Sequence, residues 1–200
     1  MWSTGGKQFA KWRVTKETSC LRAGVGRGSP WVTTRSSLGG PKFCGAIRPF
    51  RVRALSAGTV RLNPAATVRC PMIPAMDRWM HEVVQPAARR FFASRVTNVK
   101  ILASYGCRPR NNKPGAKLSE HSFANAIDVA RFTFADGRTA DVRRWRKGAA
   151  GERGFLRAVH KGSCKVFTTV LGPDADKYHW DHFHFDLARH GKRGNYHYCR

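Results

Sequence analysis

Two segments of this chain gather residues able to hold a metal ion: Ser119-Glu120-His121-Ser122-Phe123-Ala124-Asn125-Ala126-Ile127-Asp128 and, further along, Trp180-Asp181-His182-Phe183-His184-Phe185-Asp186. Imidazole nitrogens and carboxylate oxygens are ligands that zinc takes. Two histidines and one aspartate from separated segments would leave a fourth position open for water, the pattern of a catalytic site. Ligands near 2 Å from one ion must come within roughly 3 Å of each other, whereas residues seven apart on one helix are separated by about 10 Å of rise. The chain must therefore reverse between His121 and Asp128, and small Ala124 and Ala126 with turn-prone Asn125 allow it. Ile127 to Phe134 then alternates well enough to read as a strand. His182 and His184, two apart in an aromatic run, point to one face of a strand, one ring for metal and the other toward a substrate.

Ser119-x-His121-x-x-Ala124-x-Ala126-x-Asp128 followed by Asp181-x-x-His184 resembles the zinc D-alanyl-D-alanine carboxypeptidases and L-alanyl-D-glutamate endopeptidases, whose fold is shared with hedgehog signalling domains. With Ser104-Tyr105-Gly106-Cys107-Arg108-Pro109-Arg110-Asn111 and the terminal Tyr198-Cys199-Arg200, the chain resembles more closely the bacterial extensin-like C-terminal domain. The resemblance implies His121, Asp128 and His184 as zinc ligands, and Arg108 as a guanidinium that binds a substrate carboxylate or an oxyanion. It also places Asp181 where the peptidases keep their catalytic acidic residue. His182 is the alternative base on pKa and strand geometry, and Asp181 is narrowly favoured. Glu120 reads as a solvated loop acid. Ala124 stands where the peptidases usually have glycine, and a positive φ there would cost on the order of 1 kcal/mol.

The elements that must position these residues read as an α+β domain: a small antiparallel sheet with flanking helices, hedgehog/DD-peptidase-like by resemblance. Residues 1–43, rich in Gly, Ser and basic side chains, read as a poorly ordered extension, and 44–200 as the zinc-peptidase-like domain. Two strands are expected between Arg51 and Val68, broken by Gly58 and Pro64, and a strand from Val99 to Ala103 leads to the Arg108 loop. Pro74 to Phe92 carries a helical apolar stripe that Pro86 should kink or divide. Asp136-Gly137 marks a hairpin into Arg138 to Val142, Gly154 to His160 a helix, and Val166 to Leu171 a strand.

With 37 Lys and Arg against 12 acids, the net charge of +25 predicts adhesion to a polyanion, such as anionic cell-wall polymer, outer-leaflet phosphate or nucleic acid. Trp2, Trp12 and Trp31 lie among the basic residues, as in single-strand binders, yet no ordered nucleic-acid motif accompanies them. Six cysteines, none in a Cys-x-x-Cys pair, point to up to three disulfides in an oxidising compartment. One is expected to tie Cys107 to a distant segment such as Cys164. Neither a signal-type apolar region nor a membrane span is visible, so a periplasmic or extracellular location implies an export signal outside this chain. The expected function is a zinc-dependent peptidase acting on peptidoglycan peptides, with a non-catalytic wall-binding module as the alternative.

Overall fold

The computed structural model describes residues 10–40 and 43–200; Trp2 and Pro41 lie outside them. The fold is a mixed α/β arrangement built on one nine-stranded sheet. In chain order the strands are β1 (Val32–Thr34), β2 (Phe50–Leu55), β3 (Val60–Val68), β4 (Val96–Ala103), β5 (Ala126–Phe134), β6 (Thr139–Asp141), β7 (Thr169–Leu171), β8 (Phe183–Asp186) and β9 (Tyr198–Cys199). They lie in the order β1-β2-β3-β4-β5-β8-β7-β9, with β6 also on β5. The expected small antiparallel sheet is thus corrected: β3 with β4 and β7 with β9 run parallel. A parallel pair needs a crossover, and the helical segment after β3 supplies the first one.

That segment comprises α2 (Met72–Trp79), a π-helical turn (Met80–Val84) and α3 (Gln85–Phe92). Pro86 sits in the first turn of α3, where its missing N–H is least costly. With α4 (Ala150–Ser163) it covers one face of the sheet. Met72, Met76, Trp79 and Met80 are fully buried there, with Phe155, Leu156 and Val159 of α4. Trp79 packs edge-on against Phe185 and Phe167, with ring centres 5.3 and 6.2 Å away, and donates its indole N–H to Ser163 Oγ. Val166 and Phe167, expected in a strand, instead close the turn after α4 through bonds to the Ser163 carbonyl, so β7 starts later.

Residues 10–40 depart most from expectation. They contain α1 (Lys11–Arg22) and β1, which pairs with β2 as the sheet edge. The helix lacks an apolar stripe because its buried residues are charged: Arg13 meets Glu120, and Glu17 meets Arg69. Periodicity of apolar residues cannot reveal such a face.

The described cysteines form three disulfides, Cys20–Cys70, Cys44–Cys107 and Cys164–Cys199. Cys107 is tied to a distant segment as expected, but the segment is that of Cys44 and not of Cys164, which closes α4 and bonds Cys199 of β9. Among the described residues no helix is long and apolar enough to cross a membrane.

Candidate metal centre

The required chain reversal is a 3-10 turn, Glu120–Phe123, whose start is capped by Ser119 Oγ accepting the His121 N–H. It ends at Ala124, held left-handed at φ 52° with its N–H bonded to the His121 carbonyl. The chain then enters β5, where Asp128 stands directly opposite His184 of β8. Opposed residues on antiparallel strands hold their Cβ atoms about 5 Å apart. Alternation along β8 sends Phe183 and Phe185 into the core and leaves His184 and Asp186 on the other face.

The three side chains converge. His121 Nε2 lies 3.1 Å from Asp128 Oδ1 and 3.1 Å from His184 Nδ1, which is 2.9 Å from the same carboxylate oxygen. Four ligands placed tetrahedrally at about 2 Å from zinc are about 3.3 Å apart. The triangle is within a few tenths of an ångström of that spacing, and all three residues are buried.

Partners behind the triangle fix which nitrogen faces it. The Ser104 carbonyl only accepts, so His121 Nδ1 bears the proton and Nε2 presents a lone pair. The Asp186 carboxylate likewise accepts from His184 Nε2, turning Nδ1 inward, and Asp186 is itself held by the Ala188 N–H. Such outer partners orient metal-binding histidines. Burial opposes charge on His184, but its hydrogen bonds to the Asp128 and Asp186 carboxylates and their charges win, so its pKa is pushed up to about 10. Burial works the other way on Asp128, yet His121 and His184 hold its carboxyl well below the usual range.

The open side faces a cleft of about 390 Å³. His182 Nε2 approaches to 3.8 Å from Asp128 Oδ1, while its Nδ1 donates to Asp181 Oδ1 at 2.8 Å. Asp181 therefore stands behind His182. Arg108 lines the cleft with its Nη2 3.7 Å from Asp128 Oδ2. Its backbone is clamped by Ser122, whose Oγ accepts the Arg108 N–H and donates to the Arg108 carbonyl, and the Cys44–Cys107 bond holds the preceding residue.

Five of the six expected site residues thus line one cleft, with Asp181 bonded behind His182, but the sequence reading missed three supports. Asp186 continues the period-two face of His182 and His184, a signal that alternation alone contained. His179 is buried at the cleft wall, bonded through Nδ1 to Asp176, and burial drives its pKa down against that partner. Glu120 is corrected from a solvated acid to a buried one: it receives two bonds from Arg13, at 2.7 and 2.6 Å, and one from Asn125 Nδ2. Its partner is distant in sequence, so no local pattern could identify it.

Neither the curated proteins nor the solved structures gave a match to this chain. The family model described as extensin-like protein C-terminus matches residues 18–200, which include the whole triangle, the Arg108 loop and all six cysteines. With a match over nearly its full length, the chain belongs to the extensin-like protein C-terminus family.

Proposed function

We propose that this protein is a zinc-dependent peptidase acting on peptidoglycan peptides, with an active site like that of the hedgehog/DD-peptidase group. The observation that carries the reading is a three-ligand triangle whose open side faces both an oriented histidine and an arginine. His121, Asp128 and His184 would hold the ion, which would supply Lewis acidity for attack of water on an amide. His182 Nε2 takes the proton of the attacking water and returns it to the departing amine. Asp181, by accepting from Nδ1–H, fixes the tautomer in which Nε2 carries the lone pair and aims that nitrogen. Arg108 binds the substrate carboxylate or the negative charge growing on the carbonyl oxygen. Three disulfides favour a periplasmic or extracellular setting, where wall peptides are found.

Purified peptidoglycan and stem peptides incubated with the zinc-loaded protein should be cleaved, and a chelator should stop cleavage. Failure of the zinc-loaded protein to cut stem peptide, cross-bridge or D-Ala-D-Ala substrates would overturn the reading. The net charge of +25 favours a second one, a zinc-containing wall-binding module held to anionic polymer by charge. That module would bind walls equally well with and without His182.

A further inference from the structure

Beside the metal cleft, on the other flank of the loop spanning residues 173–182, lies a second groove of about 530 Å³. The loop alternates between them: Tyr178, His179 and His182 line the cleft, Pro173, Lys177 and Trp180 line the groove, and Asp176 borders both. Trp180 is 57% exposed, the most exposed large apolar side chain among the described residues. An indole left exposed on a basic surface has a face free to stack against a ligand.

The charges around it are not equivalent. Arg146 is paired with Asp174, Arg143 with Asp141, and Asp176 with His179. Lys147 and Lys177 have no acidic partner among the described residues, so the groove keeps two unneutralised cations beside its indole. An indole face takes the C–H face of a sugar ring, and ammonium groups take carboxylates. Single-stranded nucleic acid would instead require successive stacking platforms, and this groove has one exposed ring. Trp180 is two residues from His182, at most about 7 Å along the backbone.

We propose that this groove is a subsite for an acidic glycan strand, with a sugar ring stacked on Trp180 and its carboxylates held by Lys147 and Lys177. The inference rests on the peptidase reading for its biological sense, since it would seat a peptide-free stretch of the strand, whose lactyl carboxylates are free, beside the cleft in which a neighbouring wall peptide is cut. The test is equilibrium binding of peptide-free peptidoglycan glycan strands, whose lactyl carboxylates are free, to the zinc-loaded and chelator-treated protein. Neutral chitooligosaccharide of equal length and oligodeoxythymidylate serve as comparisons. Trp180→Ala should weaken glycan binding about tenfold or more, Trp180→Phe should restore most of it, and Lys147→Glu with Lys177→Glu should abolish the preference for the carboxylated strand. Chelator should change none of these. Equal affinity of parent and Trp180→Ala for the strands would overturn the subsite. So would tighter, Trp180-dependent binding of oligodeoxythymidylate, which would make the occupant a nucleic acid. Trp180-dependent glycan binding by a protein that cuts no peptide would leave the subsite standing and remove the peptidase reading alone.

Discussion

On the proposed reading a metal ion competes with a proton for His184 Nδ1, and that competition makes pH the most direct probe of the centre. The folded pKa, about 10, lies above the ordinary value of 6.5. In the metal-free protein its contribution to stability is therefore complete below about pH 6.5 and is lost as pH rises through 10. Zinc titration by calorimetry at pH 8 in buffers of different ionisation heat should show about one proton released per ion, with affinity rising about tenfold per pH unit up to that range. A pH-independent affinity would contradict the assignment of His184 as a ligand. Asp186→Asn should weaken zinc retention about 10- to 100-fold by loosening the ring behind the ligand, and His184→Ala should abolish it. His182→Ala and Asp181→Asn should retain zinc, while at least one lowers turnover by about 100-fold or more in a peptide-release assay. The convergence of His121, Asp128 and His184 was legible from the family resemblance and from the turn and strand that their spacing requires, whereas the Asp181–His182 hydrogen bond was not, since the sequence set the two as rival bases. His179, whose bond to Asp176 is local, was not, because one more histidine in a loop has no periodicity to mark it.

Among the elements, the turn between His121 and Asp128 has two features that set its rigidity. Ala124 occupies a left-handed backbone position, φ 52°, that glycine adopts without penalty. Ala124→Gly should therefore raise stability by about 1 kcal/mol, measured by denaturant unfolding at equal zinc occupancy. From behind, α1 braces the same turn through Arg13 and Glu120, the guanidinium also lying 4.3 Å from the Phe123 ring centre. Arg13→Met would strand a buried carboxylate, costing about 3–5 kcal/mol, and should weaken zinc binding more than an equally destabilising core substitution such as Phe155→Leu. Equal zinc affinity in the two variants would make α1 a general stabiliser only. The strands from β2 to β5 were legible from alternation broken at Gly58 and at Asp136-Gly137, but the break expected at Pro64 is absent, since β3 (Val60–Val68) runs through it. The order in which they assemble was not, since parallel pairing of β3 with β4 depends on how α2 and α3 pack. Nor was α1, whose buried side chains are those that sequence patterns assign to solvent.

At the scale of the whole molecule, the site is built by parts that remain separate until the chain is folded and oxidised. Cys44–Cys107 fastens the Arg108 loop, Cys20–Cys70 fastens the brace, and Cys164–Cys199 fastens the last strand to the end of α4. Their connectivity sets a problem of timing. The first two links interleave, because Cys44 lies between Cys20 and Cys70, and Cys70 lies between Cys44 and Cys107. A chain oxidised as it emerges meets Cys44 before Cys70, so the first pairing open to Cys20 is a wrong one. Native bonding then requires thiol exchange after most of the sheet has formed. Cys164 and Cys199 close late and independently of the others. The recovered yield of correctly bonded protein should accordingly depend on a disulfide isomerase during biosynthesis, with the trapped species containing a Cys20–Cys44 bond and an intact Cys164–Cys199 bond.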